Sequence, residues 1–321
     1  MVTIDIIGLG AMNIDRIYQV DEIVADGEQL IANSISLPGG SAANTIYSLA
    51  KLGVKTGFAG AVGMDDDGDN LIKDLKTVNV DTGQMRVKQG IKTGATVCLS
   101  DKSGRRSLYV APGANSVLTS EDINSDYLNQ AGMVHLSSFA DDRQFNIQVN
   151  LLKKLQASVK ISLALGMFYA SKGLKALAPL FENTDTVFMN REEIEQLTGK
   201  DFRNGAVECL NLGCRIIVVT LGKGLNAKSG QTITSYIHNS DKEYEIESEP
   251  RTGDLLETTG AGDALAAGFL FGQLKGKRIE ECGLLGEIMA TYAITEVGAR
   301  KGLPSLAQLS QRYLERTGNP L

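Results

Sequence analysis

The chain is short of several things that whole classes of protein need. It has two histidines in 321 residues, His135 and His238, and neither stands at metal-ligand spacing from a cysteine or a second imidazole. Both read as ordinary core or surface histidines. Its four cysteines, Cys98, Cys209, Cys214 and Cys282, form no CxxC pair. They read as buried thiols in a reducing compartment rather than as a disulfide framework or a zinc site. No apolar run approaches the ~20 residues that a membrane-spanning helix needs. No Lys/Arg run forms a polybasic anchor, and the net charge is −6. A broad nucleic-acid face and a membrane partner are therefore not expected. The opening residues MVTIDIIGLG lack a basic leader, and the expectation is a cytoplasmic protein.

What is present is an ordinary globular composition, 43% hydrophobic and 22% charged. Against only 6 prolines there are 35 glycines, gathered in clusters between apolar runs, which points to tight turns and close backbone approaches. Strand patterns at 4–10, 57–62, 132–136, 159–163, 185–189 and 215–220 alternate with helical periodicity. The helices are expected at 41–52, 66–78, 143–156, 171–182, 191–198, 204–212, 262–275, 279–297 and 305–316. Such alternation predicts a mainly parallel sheet with helices on both faces, within one α/β domain over residues 1–321. Residues 231–249 read as antiparallel strands. Extra strands from about 14–37 and 86–111 fall outside the alternation and are expected to form a small separate sheet, a lid over a cleft. Part of it is a hairpin of 94–100 and 106–110 around Asp101-Lys102-Ser103-Gly104.

The motif with the most chemistry is Glu257-Thr258-Thr259-Gly260-Ala261-Gly262-Asp263, followed at once by an apolar helix pattern. Small residues before a helix bare the N–H groups of its first turn, and the helix dipole adds positive potential there. That is an anion site. A carboxylate beside it would repel a merely bound anion. It suits a reaction in which Asp263 takes the proton of an attacking hydroxyl while the amides hold a transferring phosphoryl. A plainer account makes Thr259 a helix cap and Asp263 an acid favoured by the dipole.

This segment resembles the second signature of the ribokinase/PfkB family of carbohydrate kinases. Residues 39–53, Gly-Gly-Ser-Ala-Ala-Asn-Thr-Ile-Tyr-Ser-Leu-Ala-Lys-Leu-Gly, resemble the first, and Gly63-Met64-Asp65-Asp66-Asp67-Gly68 follows as in that family. The resemblance runs from Gly8 to the helix after Pro304. It implies a ribokinase-like three-layer α/β/α sandwich with a mainly parallel central sheet and a small β-sheet lid. It also implies ATP-dependent phosphoryl transfer to a hydroxyl, expected to be primary, of a small sugar such as ribose or fructose. Asp263 would be the base, with Gly260, Ala261 and Gly262 as the anion hole.

On the acceptor side it implies Asp15, Asn13, Gly39, Gly40, Asn44 and, on the lid, Arg106. On the ATP side it implies Asn190, Glu193, Thr220, Gly222, Gly224 and Gly298. Glu193 would hold Mg²⁺ through water. Glu257 and Thr259 would belong to a monovalent-cation loop for K⁺, although the family usually has Asp where this chain has Glu257. A homodimer through the lid edges is a further expectation.

Three other readings are open. Nucleoside kinases of the same family carry similar segments at Pro38–Thr45 and Gly268–Gly272, and Tyr109, Phe139 and Phe168 are aromatic residues available to stack a base. Gly8-Leu9-Gly10 after a strand invites a nicotinamide-dependent oxidoreductase, but Asn13 stands where the third glycine would be. A non-catalytic sugar- or nucleoside-binding protein would have no use for Asp263 beside the anion hole.

Overall fold

The computed structural model describes residues 4–103, 105–227, 229–248 and 259–321; the side chain of Arg106 is outside that description. The chain opens with β1 (Ile4–Leu9), then forms the antiparallel pair β2 (Asn13–Val20) and β3 (Ile31–Gly39). Gly40, at φ 96°, turns the chain into α1 (Ser41–Lys51). Next come β4 (Thr56–Gly63), α2 (Asp66–Thr77) and β5 (Asp81–Lys88), with Asp65 capping α2 through the Gly68 N–H. The chain returns to the first pair with β6 (Gly94–Asp101) and β7 (Arg106–Ala111).

A run of βα units follows: α3 (Ser125–Leu128), β8 (Ala131–Ser137), α4 (Asp142–Leu152), β9 (Lys160–Ala164), α5 (Gly166–Ala170), α6 (Leu174–Phe181), β10 (Thr186–Asn190), α7 (Arg191–Thr198), α8 (Phe202–Asn211) and β11 (Ile216–Asn226). The rest is β12 (Thr232–Asn239), β13 (Glu243–Ser248), α9 (Ala261–Leu274), α10 (Ile279–Ala293) and α11 (Leu306–Thr317).

Among the described residues nine strands form one sheet in the order β13-β12-β11-β10-β9-β8-β1-β4-β5, parallel from β11 to β5 and antiparallel at β12. Side chains alternate across it, as strand geometry requires. Ile7 and Leu9 of β1, Val187 and Met189 of β10, and Ile217 and Val219 of β11 enter one core; Ile6, Phe188 and Val218 enter the other. The first core is closed by Tyr127, Phe145, Leu177, Ile194 and Phe202 from α3, α4, α6, α7 and α8. The second is closed by Ile46, Leu71, Phe269, Leu285 and Tyr313 from α1, α2, α9, α10 and α11. This is the expected three-layer arrangement. Helix α9 is apolar almost all round because α1, α10 and the sheet cover it, and Ala264 to Gly272 are all buried.

A second sheet has the order β3-β2-β6-β7. Its composition corrects one expectation. Residues 86–88 belong to β5, which pairs parallel with β4 as the edge of the large sheet, so this part of the small sheet begins at Gly94. The physical reason is that β4, α2 and β5 form an ordinary βαβ unit. Likewise β11 does not stop at 220 but runs through a register shift between Thr220 and Leu225 before pairing onward with β12. Strand order reverses at β1, with β4 and β5 on one side and β8 to β11 on the other. In open α/β sheets, the carboxyl ends of the strands at such a point face the ligand crevice.

Candidate active site

Helix α9 begins at that end of the sheet. Its cap, Gly260, has φ 80°, and a Cβ there would lie 2.3 Å from the Ala299 Cβ. Only glycine combines that dihedral with so close a neighbour. The first helical bond runs from the Ala264 N–H to the Gly260 carbonyl at 2.8 Å. The N–H groups of Ala261, Gly262 and Asp263 therefore precede the ladder, at the positive end of the dipole. Gly262 is exposed, and nothing lies within 4 Å of the place a Cβ would take, so the space before this turn is open.

The Asp263 carboxylate, partly buried, is held by α1. Ser41 Oγ donates to Oδ1 at 2.7 Å and Asn44 Nδ2 donates to Oδ2 at 2.9 Å, while Thr45 Oγ1 donates to the Asp263 carbonyl at 3.3 Å. Burial raises this carboxyl above the ordinary range, and the two hydrogen bonds and the Arg300 charge offset part of that rise. The far end of the Asn44 amide accepts from Arg300 Nε at 2.9 Å. Arg300 is 7% exposed, pairs with Asp74, donates to the Gly39 carbonyl at 3.4 Å and lies 4.9 Å from the Tyr47 ring centroid.

The sequence reading gave no role to Ser41, Arg300 or Asp74. Ser41 lay inside the quoted first signature, three residues before Asn44, and that i,i+3 spacing is the signal that both face one partner. Arg300 is a single charge in a loop and carries no such signal.

Among the residues expected to meet the acceptor, Asp15 of β2 stands over Gly39 of β3: a Cβ on Gly39 would be 2.3 Å from Asp15 Oδ2. Asn13 pairs in register with Gly39, and its Oδ1 accepts from Asn115 Nδ2 at 3.0 Å. Asn115, 3% exposed, also accepts from the Met12 N–H and donates to the Met12 and Pro112 carbonyls. It pins the passage from β1 to β2, and it is a fourth residue to which the sequence reading gave no role. Phe139 is buried in a core and is not available to stack on a ligand, whereas Tyr109 and Phe168 are exposed.

On the other side, Asn190, at the end of β10, pairs in register with Thr220, the last residue of β11 before its register shift. Asn190 caps α7 reciprocally with Glu193: each backbone N–H donates to the other's side chain, at 2.8 and 2.9 Å. Burial raises the Glu193 carboxyl, and the Asp263 charge raises it further, against hydrogen bonds from the Asn190 and Gly166 backbone. Gly222, at φ 60°, faces open space in the irregular part of β11; at Gly224 a Cβ would meet Thr232 at 2.2 Å, which is a packing reason for that glycine. Gly298, at φ 93°, abuts Leu37 of β3.

Glu257 and the Arg106 side chain lie outside the described residues, and Thr259 sits in the turn that leads to Gly260. Among the described residues no group of three His, Cys, Asp or Glu side chains could cage a metal. A lone carboxylate such as Glu193 fits a hard cation that arrives bound to phosphates and keeps its waters.

An open, amide-rich helix start with a carboxylate beside it has the makings of a group-transfer site for small molecules. A family model described as pfkB family carbohydrate kinase matches residues 4–306, and the chain belongs to that family. It is a sugar or nucleoside kinase of the ribokinase type. A relative from Archaeoglobus fulgidus, described as an uncharacterized sugar kinase, is 35% identical over 259 residues, which cover 80% of this chain and 98% of the relative. A nucleoside kinase from Methanocaldococcus jannaschii is 26% identical over 306 residues, 95% of each chain. Among solved structures, the adenosine kinase from Sinorhizobium meliloti superposes with a TM-score of 0.82 at 25% identity, covering 96% of this chain and 99% of the other. Among the described residues no helix is long and apolar enough to cross a membrane.

Proposed function

We propose that the chain transfers the γ-phosphoryl group of ATP to a hydroxyl, expected to be primary, of a small sugar, with Asp263 as the general base. The observation that carries this reading is the placement of Asp263: a carboxyl in the first turn of α9, beside the helix's N-terminal amides and held by donors from α1. The acceptor lies against Asp15, Gly39, Gly40 and the Asn13 strand end, where paired polar groups meet its hydroxyls. The nucleotide lies across Thr220 and Gly222 toward the start of α9. Asp263 takes the proton of the acceptor hydroxyl as that oxygen attacks the γ-phosphorus in line. The bond to the bridging oxygen breaks, ADP leaves, and the amides of residues 261–263 stabilise the transferring group.

Glu193 would hold Mg²⁺ through water, and the ion would neutralise phosphate charge when bound. Glu257 and Thr259 would hold a monovalent cation, and no step of this reading depends on it. The small sheet acts as the lid, shutting water out during transfer. Its exposed Ile31, Leu108 and Tyr109, with Leu30 just before β3, support a homodimer through that sheet.

The Archaeoglobus relative favours a sugar; the nucleoside kinase relative supports a nucleoside as the second reading. A coupled ADP-release assay on ribose, fructose and adenosine separates them. Turnover of a sugar that collapses in Asp263→Asn supports the proposal. Full turnover in that variant, or ADP release without any acceptor dependence, ends it.

A further inference from the structure

We propose that Arg300 is a positioning residue for the transfer: it fixes the Asn44 side chain so that the amide N–H₂, not the carbonyl, faces the Asp263 carboxylate. The inference rests on the reading of Asp263 as base.

An asparagine amide has one accepting and one donating end, and by shape alone either end can point toward a neighbour. A guanidinium only donates. With Arg300 Nε bonded to Asn44 Oδ1 at 2.9 Å, the oxygen is committed, and the Nδ2 end is left for Asp263 at 2.9 Å. Turning the amide over would set a carbonyl against a carboxylate and an N–H₂ against a cation. The line Arg300–Asn44–Asp263 thus specifies one orientation at a reacting acid.

The rest of the guanidinium is arranged to permit this. Asp74 of α2 meets Nη1, the Gly39 carbonyl at the end of β3 meets Nη2, and Tyr47 of α1 covers its face. Charge balance alone would need only Asp74, and replacing a buried ion pair by apolar groups is often neutral for stability. Using Nε on Asn44 is the feature that neutralisation does not explain. The same loop also packs Ala299 on Gly260 and Gly298 on Leu37, so one segment braces the base, the amide turn and the root of the acceptor strand. The charges that bear on Asp263 and its brace are Glu193 from α7, Arg300 from this loop, Asp74 from α2 and Asp15 from β2.

A cavity of about 170 Å³ is lined in part by Leu37, Pro38, Tyr47, Val297 and Arg300 itself. It gives a small cation a way in. The test uses three variants of the full chain. Arg300→Met/Asp74→Leu keeps the site packed and uncharged. Arg300→Ala leaves a hole next to the cavity. Asp263→Asn is the control for the base.

We expect kcat to fall roughly tenfold to a hundredfold in the first two, with the KM for ATP close to wild type. The acid limb of the kcat profile should move to higher pH, and millimolar guanidinium should restore turnover in Arg300→Ala alone. Wild-type kcat in the folded double variant overturns the inference while leaving the base reading intact, provided Asp263→Asn is inactive. A fall in kcat with no move of the acid limb and no guanidinium rescue makes Arg300 a packing residue and also overturns it. An active Asp263→Asn removes the base reading, and this inference with it.

Discussion

Gly260 and Ala299 touch so closely that a methyl group on the glycine would lie 2.5 Å from the Ala299 Cα, and the glycine holds φ 80°. Gly260→Ala is therefore expected to lose about 1–2 kcal/mol to the left-handed backbone and about 1–3 kcal/mol to overpacking. Gly262→Ala is the contrast, because nothing lies within 4 Å of its missing Cβ. It should gain up to about 1 kcal/mol of helix stability, yet lower kcat by placing a methyl where the proposed reading puts the phosphoryl group. Calorimetry and steady-state kinetics on the two variants check both halves. A Gly262→Ala enzyme with unimpaired kcat would move the phosphoryl group away from this turn.

Asp263 couples activity to stability with opposite signs. Burial holds its carboxyl above the ordinary value, so the folded chain binds this proton more tightly than the unfolded chain does. Stability from this group therefore falls as pH rises through the window that starts near the unfolded value of about 4. Asp263→Asn, neutral at every pH, should melt at a higher temperature than wild type at pH 7, and the gap should close below about pH 4. Its turnover should drop by roughly 10²–10⁴. Melting curves at the two pH values, paired with the kinetic assay, read both effects.

Glu193 and Asp263 repel each other across the start of α7 and the start of α9. Glu193→Gln keeps the reciprocal cap with Asn190, because Gln serves at that position. With one negative charge gone, Asp263 ionises more easily, and the acid limb of kcat should move to lower pH. The Mg²⁺ concentration needed for half-maximal rate should rise. A pH profile at saturating Mg²⁺ and a Mg²⁺ titration at pH 7.5 test the two claims independently.

Gly39→Ala drives a methyl into the Asp15 carboxylate, whose oxygens lie 2.3 and 2.5 Å from the ideal Cβ. Asp15 must move, so the KM for the acceptor should rise, by roughly tenfold or more for a lost charged hydrogen bond. The KM for ATP should hold. An equal rise in both constants would place Asp15 outside the acceptor pocket.

The start of α9 was legible because one short segment carries its whole logic: a small-residue turn, an acid, then an unbroken apolar run. The alternation of strands and helices was legible for the same local reason, since each buried strand declares itself within six or so residues. Non-local choices were not. Nothing near residues 86–88 says that they extend β5 along β4 rather than start the small sheet. Strand β11 continues to Asn226 because β12 supplies a partner beyond the irregular glycines. The expected 279–297 helix ends at Ala293, and its last residues turn toward β3 instead. Arg300 went unread because its meaning lies in Asn44 and Asp74, 256 and 226 residues away.

Ser41 meets Asp263 at 2.7 Å across 222 positions of sequence. During synthesis, the first signature leaves the ribosome long before its partner is made. A chain that stops before α9 lacks Phe269, Leu285 and Tyr313, which close the second core, as well as the carboxylate that α1 holds. Completion of that core and assembly of the Ser41–Asp263 pair therefore wait on the same last stretch of chain.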